Sequence, residues 1–490
     1  MSVVALTRRD FIAGGAAAGA CFSFGPTLAQ PGDPAELSIE EASRLIRARS
    51  LSPVDLARAY LDRIERLNPQ LNAFITVTGE LAFEQARAME AELDRGLWRG
   101  PLHGIPIALK DNIDTAGILT TAGSALFAER VPDEDAEVVR RLKAAGAVLL
   151  GKLNMHEFAY GATSGVSHYG SVHNPWDLDR IPGGSSGGSA AAVSSRLCAG
   201  ALGTDTGGSI RQPAAYCGIV GLKPTYGLVS IRGIIPLAMS QDHVGPMCRT
   251  VTDAALMLQA LAGYDPADLT SIRADVPAYV SALYQRTSGL RLGVARSFFF
   301  EDLDEGIGEV TERALSTLGE LVAEVRDVEL PMPTVRVVPL EPYVYHAEYL
   351  AQEETRRLYQ PRVLSRLLTG ADVSATTYFE ARDEIARVQR EIETVFSEVD
   401  LVITPTAPRM PLTIEEGRNP PDSIAFSLRN TSPFDAYGIP TISVPCGFSR
   451  EGLPIGIQIS GPRLGETEVF ALAHAYEQAT DWHDRRPPLA

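Results

Sequence analysis

Lysine is nearly missing from this chain of 490 residues. Among 44 basic residues only Lys110, Lys143, Lys152 and Lys223 are lysines, and all four lie in the first half. Arginine cannot be deprotonated in a protein and lysine can, so chemistry that needs a removable ammonium proton has few places to happen. No Cys-x-x-Cys pair occurs, and His156-Glu157 has no second histidine four residues on, which leaves a zinc site without support; no metal and no cofactor are expected. No basic cluster relieves the formal net charge of −17. Phosphate backbones and anionic membrane surfaces are therefore repelled, and the expected partner is a small molecule, with no nucleic acid. What is present is ordinary globular usage, 45% hydrophobic and 21% charged, enough to bury one very large core or several smaller ones.

The first residues, LTRRDFIAGGAAAGACFSFGPTLAQ, hold an Arg8-Arg9 pair, an Ala/Gly-rich apolar run and the small-x-small pattern Thr27-Leu28-Ala29. This resembles a twin-arginine export signal, so residues 1–29 are expected to be a leader and 30–490 the working part, in the periplasm or outside the cell. The apolar run from Phe11 stops short of the roughly 20 residues of a membrane span, and no stable membrane insertion is expected. Cys21 follows Ala18-Gly19-Ala20 without the leucine usual ahead of a lipoprotein site. Beyond the leader remain Cys198, Cys217, Cys248 and Cys446, and an oxidising compartment would permit one bridge among them.

The spacing of apolar residues predicts two helices in a hairpin over 38–68, the second opened by Ser52-Pro53, and a further helix over 80–97. GIPIALKDNID reads as a buried strand that runs out into a loop at Lys110, 138–145 as a helix, and AVLLGKLN as a second buried strand. Strands alternating with helices argue for a mostly parallel sheet covered on both faces. Between 265 and 400 helical patterns dominate, at 305–325 and 375–398, and aromatic residues cluster. This section is expected to be helical, to lie on the rim of the core and to set substrate specificity. The sheet resumes with DLVITPTAP and PTISVPCGF, and PIGIQISGP leads into a closing helix over 466–480.

Two loops are dense in glycine and serine. GGSSGG at 183–188 contains overlapping G-x-S-x-G matches, but the polar, proline-broken NPWDLDRIP before it is no strand, so a nucleophile elbow is excluded. No serine stands three residues before a lysine; Ile107, Arg140, Leu149 and Val220 occupy those positions. That leaves Ser209, in GTDTGGSIR, with a lysine as its candidate base. Lysine is a poor base at its free pKa of about 10.4, and burial in an apolar wall moves it toward neutrality by disfavouring the charged form. Lys110 follows such a wall, Ile105-Pro106-Ile107-Ala108-Leu109. Lys152 and Lys223 follow similar runs, and spacing alone does not choose among the three.

PGGSSGGSAAAV (182–193), LGTDTGGSIRQPAAYCGIVGLKPTYG (202–227) and LHGIPIALKDNID closely resemble the amidase signature family. The likeness continues through GKLNMHEFAYG, QDHVGPMCRTVTDAAL, VITPTAP and GIPTISVPCG, over nearly the whole of 30–490. The resemblance implies an α/β fold, a single large domain with a central mixed, mostly parallel twisted sheet and helices on both faces. It implies a Ser-cisSer-Lys triad, with Ser209 as nucleophile, Ser185 as the bridging serine after a cis peptide bond, and Lys110 as base. A proton would pass from Ser209 through Ser185 to a neutral Lys110 and return to the leaving amine. Backbone N–H groups of Thr206, Gly207, Gly208 and Ser209 would form the oxyanion hole, which side chains at 207 and 208 would obstruct. Asp205 and Arg211 read as an ion pair that holds the loop, Met155 and Ser186 as substrate-binding neighbours, and Cys217 as core. The function this implies is an exported serine amidohydrolase of linear amides, with aryl amides, esters and carbamates in reach, working through an acyl-enzyme on a small-molecule substrate, with a homodimer left open. The alternatives are the glutaminase-type subunit of a tRNA-dependent amidotransferase and a non-catalytic small-molecule binding protein.

Overall fold

The computed structural model describes residues 32–334, 339–419 and 426–489, so the leader expected over 1–29 lies outside the described residues. Helix starts follow their capping chemistry. Ser38 opens the helix Ile39–Arg47 in a reciprocal capping box with Glu41, and Ser52 caps Pro53–Leu71 with Pro53 in the first turn, where its missing N–H costs nothing. The two helices stand where the hairpin was expected, but the first packs on the helix Val251–Leu261 and the second on the helix Gly79–Asp94 rather than chiefly on each other.

Eleven strands make one sheet: β1 (Phe74–Val77), β2 (Pro106–Lys110), β3 (Val148–Leu153), β4 (Gly200–Asp205), β5 (Val220–Lys223), β6 (His243–Cys248), β7 (Arg291–Val294), β8 (Glu324–Asp327), β9 (Leu401–Pro405), β10 (Thr441–Phe448) and β11 (Pro454–Ser460). Their order is β1-β3-β2-β4-β6-β5-β10-β11-β9-β7-β8. Strands β2 to β6, β9 and β11 are buried along their whole length. Strands covered on both faces read as continuous apolar runs, which is why β2, β3, β9 and β11 were expected from the sequence, whereas the glycine-rich β4 and β5 and the proline-containing β6 were not.

The sheet is mixed, as expected, but its parallel majority is corrected. Strand β2 runs parallel to β3 and β4, and β7 to β8 and β9, while the other six neighbouring pairs are antiparallel. A strand buried on both faces carries no alternation that would report its neighbour's direction. The helix expected over 305–325 ends at Leu321, and 324–327 turns into β8, an exposed edge strand on β7. The section 265–400 is therefore not purely helical: it supplies two strands of the main sheet together with the long helix Ala375–Glu398, which has the expected bounds. The question of a bridge, which the sequence left open, is answered by the four cysteines outside the expected leader. Cys198, Cys217, Cys248 and Cys446 are buried free thiols, and Cys217 lies in the core as read, its thiol toward the Pro182 carbonyl at 3.6 Å.

Candidate active site

Two parallel neighbours, β2 and β4, deliver their carboxyl ends side by side, and ligands of open α/β sheets gather at such ends. Lys110 is the last residue of β2; Thr204 and Asp205 close β4. The Lys110 side chain is fully buried. Its Nζ donates to Ser185 Oγ at 2.7 Å, to Thr204 Oγ1 at 2.7 Å and to the Thr204 carbonyl at 3.4 Å. Burial lowers its pKa to about 7, against the opposing pull of the Asp205 and Asp242 charges. Lys152 Nζ instead meets Asp111 at 3.5 Å, and Lys223 Nζ donates to the Ile439 carbonyl at 2.6 Å. Among the buried lysines only Lys110 touches a serine hydroxyl.

Ser185 follows a cis Gly184–Ser185 peptide bond at the head of the helix Gly187–Ser194. The loop is tied down by the Gly184 N–H on Gln212 Oε1 and the Gly187 N–H on Ser164 Oγ, both at 3.0 Å. Ser209 is 5% exposed, and its carbonyl accepts the Ser186 N–H at 3.2 Å. The structure thus brings Lys110 and Ser185 into contact. Between the Ser185 and Ser209 hydroxyls no hydrogen bond is present among the described residues; such bonds are often loose until substrate arrives.

Asp205 organises the turn around Ser209. Its carboxylate accepts the N–H groups of Gly208 and Ile210 and faces Arg211 through Nε at 3.0 Å and Nη2 at 3.1 Å. This is the structural pair expected, with an addition the sequence did not show: Arg211 Nη2 also donates to Asp435 at 2.7 Å, and all three side chains are fully buried. Burial opposes ionisation of Asp205, but the Arg211 guanidinium outweighs it and holds this carboxyl well below the usual range. Burial and the neighbouring Asp205 charge push Asp435 the other way.

Three expected roles are corrected. The Gly208 N–H is engaged by Asp205, so Gly208 leaves the set of oxyanion donors, and Thr206, Gly207 and Ser209 remain. Ser186 Oγ donates to the Thr204 carbonyl at 3.2 Å and accepts the Thr204 N–H at 3.3 Å, a fully buried tie between loop and strand rather than a substrate contact. Met155 is 0% exposed, packed in an apolar cluster with Phe127 and Phe158, and so is core rather than pocket wall. The sequence reading also missed Thr204, although it stands inside GTDTGGSIR, because its partnership with Lys110 depends on strand pairing. It missed Asp242, whose carboxylate accepts Thr206 Oγ1 at 2.6 Å and the N–H of Leu237 at 3.0 Å. Leu237 and Ser240 of the loop so anchored line a cavity of about 810 Å³ together with Tyr226, Glu341, Tyr378 and Arg382, and Lys110, Ser185 and Ser209 are not among its lining residues. Residues 340–382 of the largely helical section supply one side of it.

The paired strand ends thus press a buried amine against a serine hydroxyl. The chain belongs to the amidase family, whose model matches residues 55–470. It is 41% identical over 480 residues to a glutamyl-tRNA(Gln) amidotransferase subunit from Moorella thermoacetica, covering 92% of this chain and 98% of the relative. Among solved structures it resembles the subunit of the same name from Thermotoga maritima, at 35% identity, 91% and 95% coverage and a TM-score of 0.77. It also resembles native peptide amidase from Stenotrophomonas maltophilia, at 34% identity, 92% and 98% coverage and a TM-score of 0.81.

The likeness to the Moorella protein overturns two expectations: the self-standing hydrolase of small amides, and the partner set of a small molecule without nucleic acid. Each has its own physical reason. Serine, serine and lysine fix how an amide is opened but not where the released nitrogen goes, and net charge describes this chain's own surface, not what a companion subunit binds.

Proposed function

We propose that this chain is the amide-opening subunit of a glutamyl-tRNA amidotransferase, taking ammonia from the linear side-chain carboxamide of glutamine. The observation that carries this reading is the 41% identity over 92% of the chain to a protein named as a subunit of that enzyme. The geometry supports the chemistry. Ser209 Oγ attacks the carboxamide carbon while its proton moves to Ser185 Oγ, and the Ser185 proton moves to neutral Lys110 Nζ. The tetrahedral oxyanion faces the N–H groups of Thr206, Gly207 and Ser209. Lys110, now an ammonium, returns a proton through Ser185 to the departing NH₂, which leaves as ammonia. Water, deprotonated by the same relay, then cleaves the ester on Ser209 and releases glutamate. A surface of net charge −17 repels tRNA, so in this reading a companion subunit carries the tRNA and this chain supplies ammonia to it.

The test is to purify the tagged chain from its own cells, identify what accompanies it, and assay the isolated assembly for conversion of glutamyl-tRNA(Gln) with glutamine. Expected are co-purifying proteins and glutamine-dependent amidation. Ser209→Ala should abolish amidation with glutamine and leave it intact with ammonium chloride. A chain that comes out alone, ignores glutamine and opens peptide amides instead would overturn the reading.

A further inference from the structure

The nucleophile turn is gripped from outside by a segment far along the chain. Thr431 Oγ1 donates to the Gly207 carbonyl at 2.8 Å, and Ser432 Oγ donates to the same oxygen at 3.0 Å. Both hydroxyls also reach the Leu428 carbonyl, at 3.1 and 2.9 Å. A hydroxyl has one proton to give, and the Leu428 carbonyl also accepts the Thr431 N–H at 3.2 Å, so the Gly207 carbonyl is the one that depends on the two hydroxyls, and losing either leaves it with a single donor. Thr431 is 0% and Ser432 6% exposed, so bulk water does not make up the loss.

The other end of the same peptide unit is held as well. The Gly208 N–H donates to Asp205, and a carbonyl and the N–H that follows it lie in one rigid plane. The Gly207–Gly208 peptide is therefore pinned at both ends, and the N–H groups on either side of it, those of Gly207 and Ser209, take their directions from it. The fit is tight enough to require glycine: Gly208 has φ +129°, and a Cβ there would stand 2.0 Å from Thr431 Oγ1. Arg211 welds the two parts together, donating to the Thr431 carbonyl at 2.9 Å and to Asp435, on the helix Ser432–Tyr437, at 2.7 Å.

We propose that Thr431 and Ser432 are positioning residues of the oxyanion hole, aiming the Gly207 and Ser209 amides at the tetrahedral oxygen without touching substrate. This rests on the reading of Ser209 as nucleophile. Donors aimed in advance favour the transition state over the ground state, whereas hydroxyls that only held the fold together would change melting temperature and the fraction of active enzyme.

The experiment compares Thr431→Val, Ser432→Ala and the conservative Thr431→Ser in the isolated assembly. It measures kcat and KM for glutamine, inhibition by the γ-aldehyde analogue of glutamine, which closes to a tetrahedral adduct on serine, and the rate at which a fluorophosphonate labels Ser209. For Thr431→Val we expect kcat to fall by about tenfold to a hundredfold with KM within about twofold. Aldehyde affinity and labelling rate should fall in step, Ser432→Ala should show a smaller loss of the same kind, and Thr431→Ser should recover most of it. Unchanged kcat in both variants, or a lower kcat with undiminished aldehyde affinity and labelling, overturns the proposal. If Thr431→Val does not fold, Ser432→Ala and Thr431→Ser decide. A wild-type enzyme that is labelled at Ser209 yet ignores glutamine defeats the functional reading alone, and labelling rates still judge the two hydroxyls. A Ser209 that resists labelling in the wild type removes both.

Discussion

Lys110 and Lys152 sit on adjacent parallel strands, both fully buried, yet they serve different ends. The register pairs Lys110 with Leu153 and Leu109 with Lys152. The two lysines are thus one residue out of step, and because side chains alternate along a strand their amines leave on opposite faces of the sheet. On its face Lys152 meets Asp111 at 3.5 Å, Thr120 Oγ1 at 2.7 Å and the Ile113 carbonyl at 2.7 Å. Lys110 meets hydroxyls and a carbonyl and touches no carboxylate. Burial lowers the pKa of both, and the Asp111 charge then pulls Lys152 back up. Burial makes an amine ready to lose its proton; the neighbour decides whether that readiness is used.

The sharpest way to break this contrast is to remove each amine in turn. Lys110→Met should lower ammonia release by at least about 10⁴-fold, with the fold intact by circular dichroism. Lys110→Arg should do no better, since a guanidinium keeps its proton. Near-wild-type turnover in either variant would take the base assignment with it. Lys152→Met should spare turnover per folded molecule and cost about 3 to 5 kcal/mol of stability in urea titrations, because it leaves Asp111 buried and unpaired. Adding Asp111→Asn should restore part of that loss, and a stable Lys152→Met single variant would show the ion pair to be idle.

A subtler test is pH. Protonated Lys110 is inactive as a base, so kcat/KM should climb about tenfold per pH unit and level off above a pKa of about 7. The stability effect has a definite sign. Between about 7, its folded value, and 10.5, its ordinary value, Lys110 binds more proton in the unfolded chain than in the native one, so stability rises with pH across that window. Lys110→Met lacks this dependence. Its advantage over the wild type in thermal unfolding should be greatest below pH 7 and shrink toward pH 10, and a constant difference would contradict a neutral amine.

Much of this was legible in the sequence, and the rest was hidden for definite reasons. Because these signals are local, the Ser52-Pro53 start signal and the periodicity of 375–398 placed helix starts as observed, although the helix opened at Pro53 runs on to Leu71, past the expected 68. The buried strands β2, β3, β9, β10 and β11 were visible as apolar runs, but their directions were not, and β4, β5 and β6, broken by glycine or proline, were not read as strands. Lys110, Ser185 and Ser209 stood out through their family motifs, while the proof that Lys110, and not Lys152, reaches a serine needed the one-residue offset between β2 and β3. Asp435, Thr431 and Ser432 were out of sight because their contacts with the nucleophile turn join positions separated by 224 or 225 residues. Gly208 misled for the opposite reason: a glycine beside a nucleophilic serine looks like an oxyanion donor until the carboxylate that captures its N–H is seen.

The interior placement of three lysines also leaves Lys143, at 34% side-chain exposure, as the one accessible lysine amine among the described residues. Succinimidyl esters and aldehyde resins need an unburied amine, so they should attach dyes or a solid support at that position and, beyond it, only at the chain's amino terminus. Coupled in this way, the protein would be tethered at no more than those two points, with the Lys110 amine out of the reagent's reach.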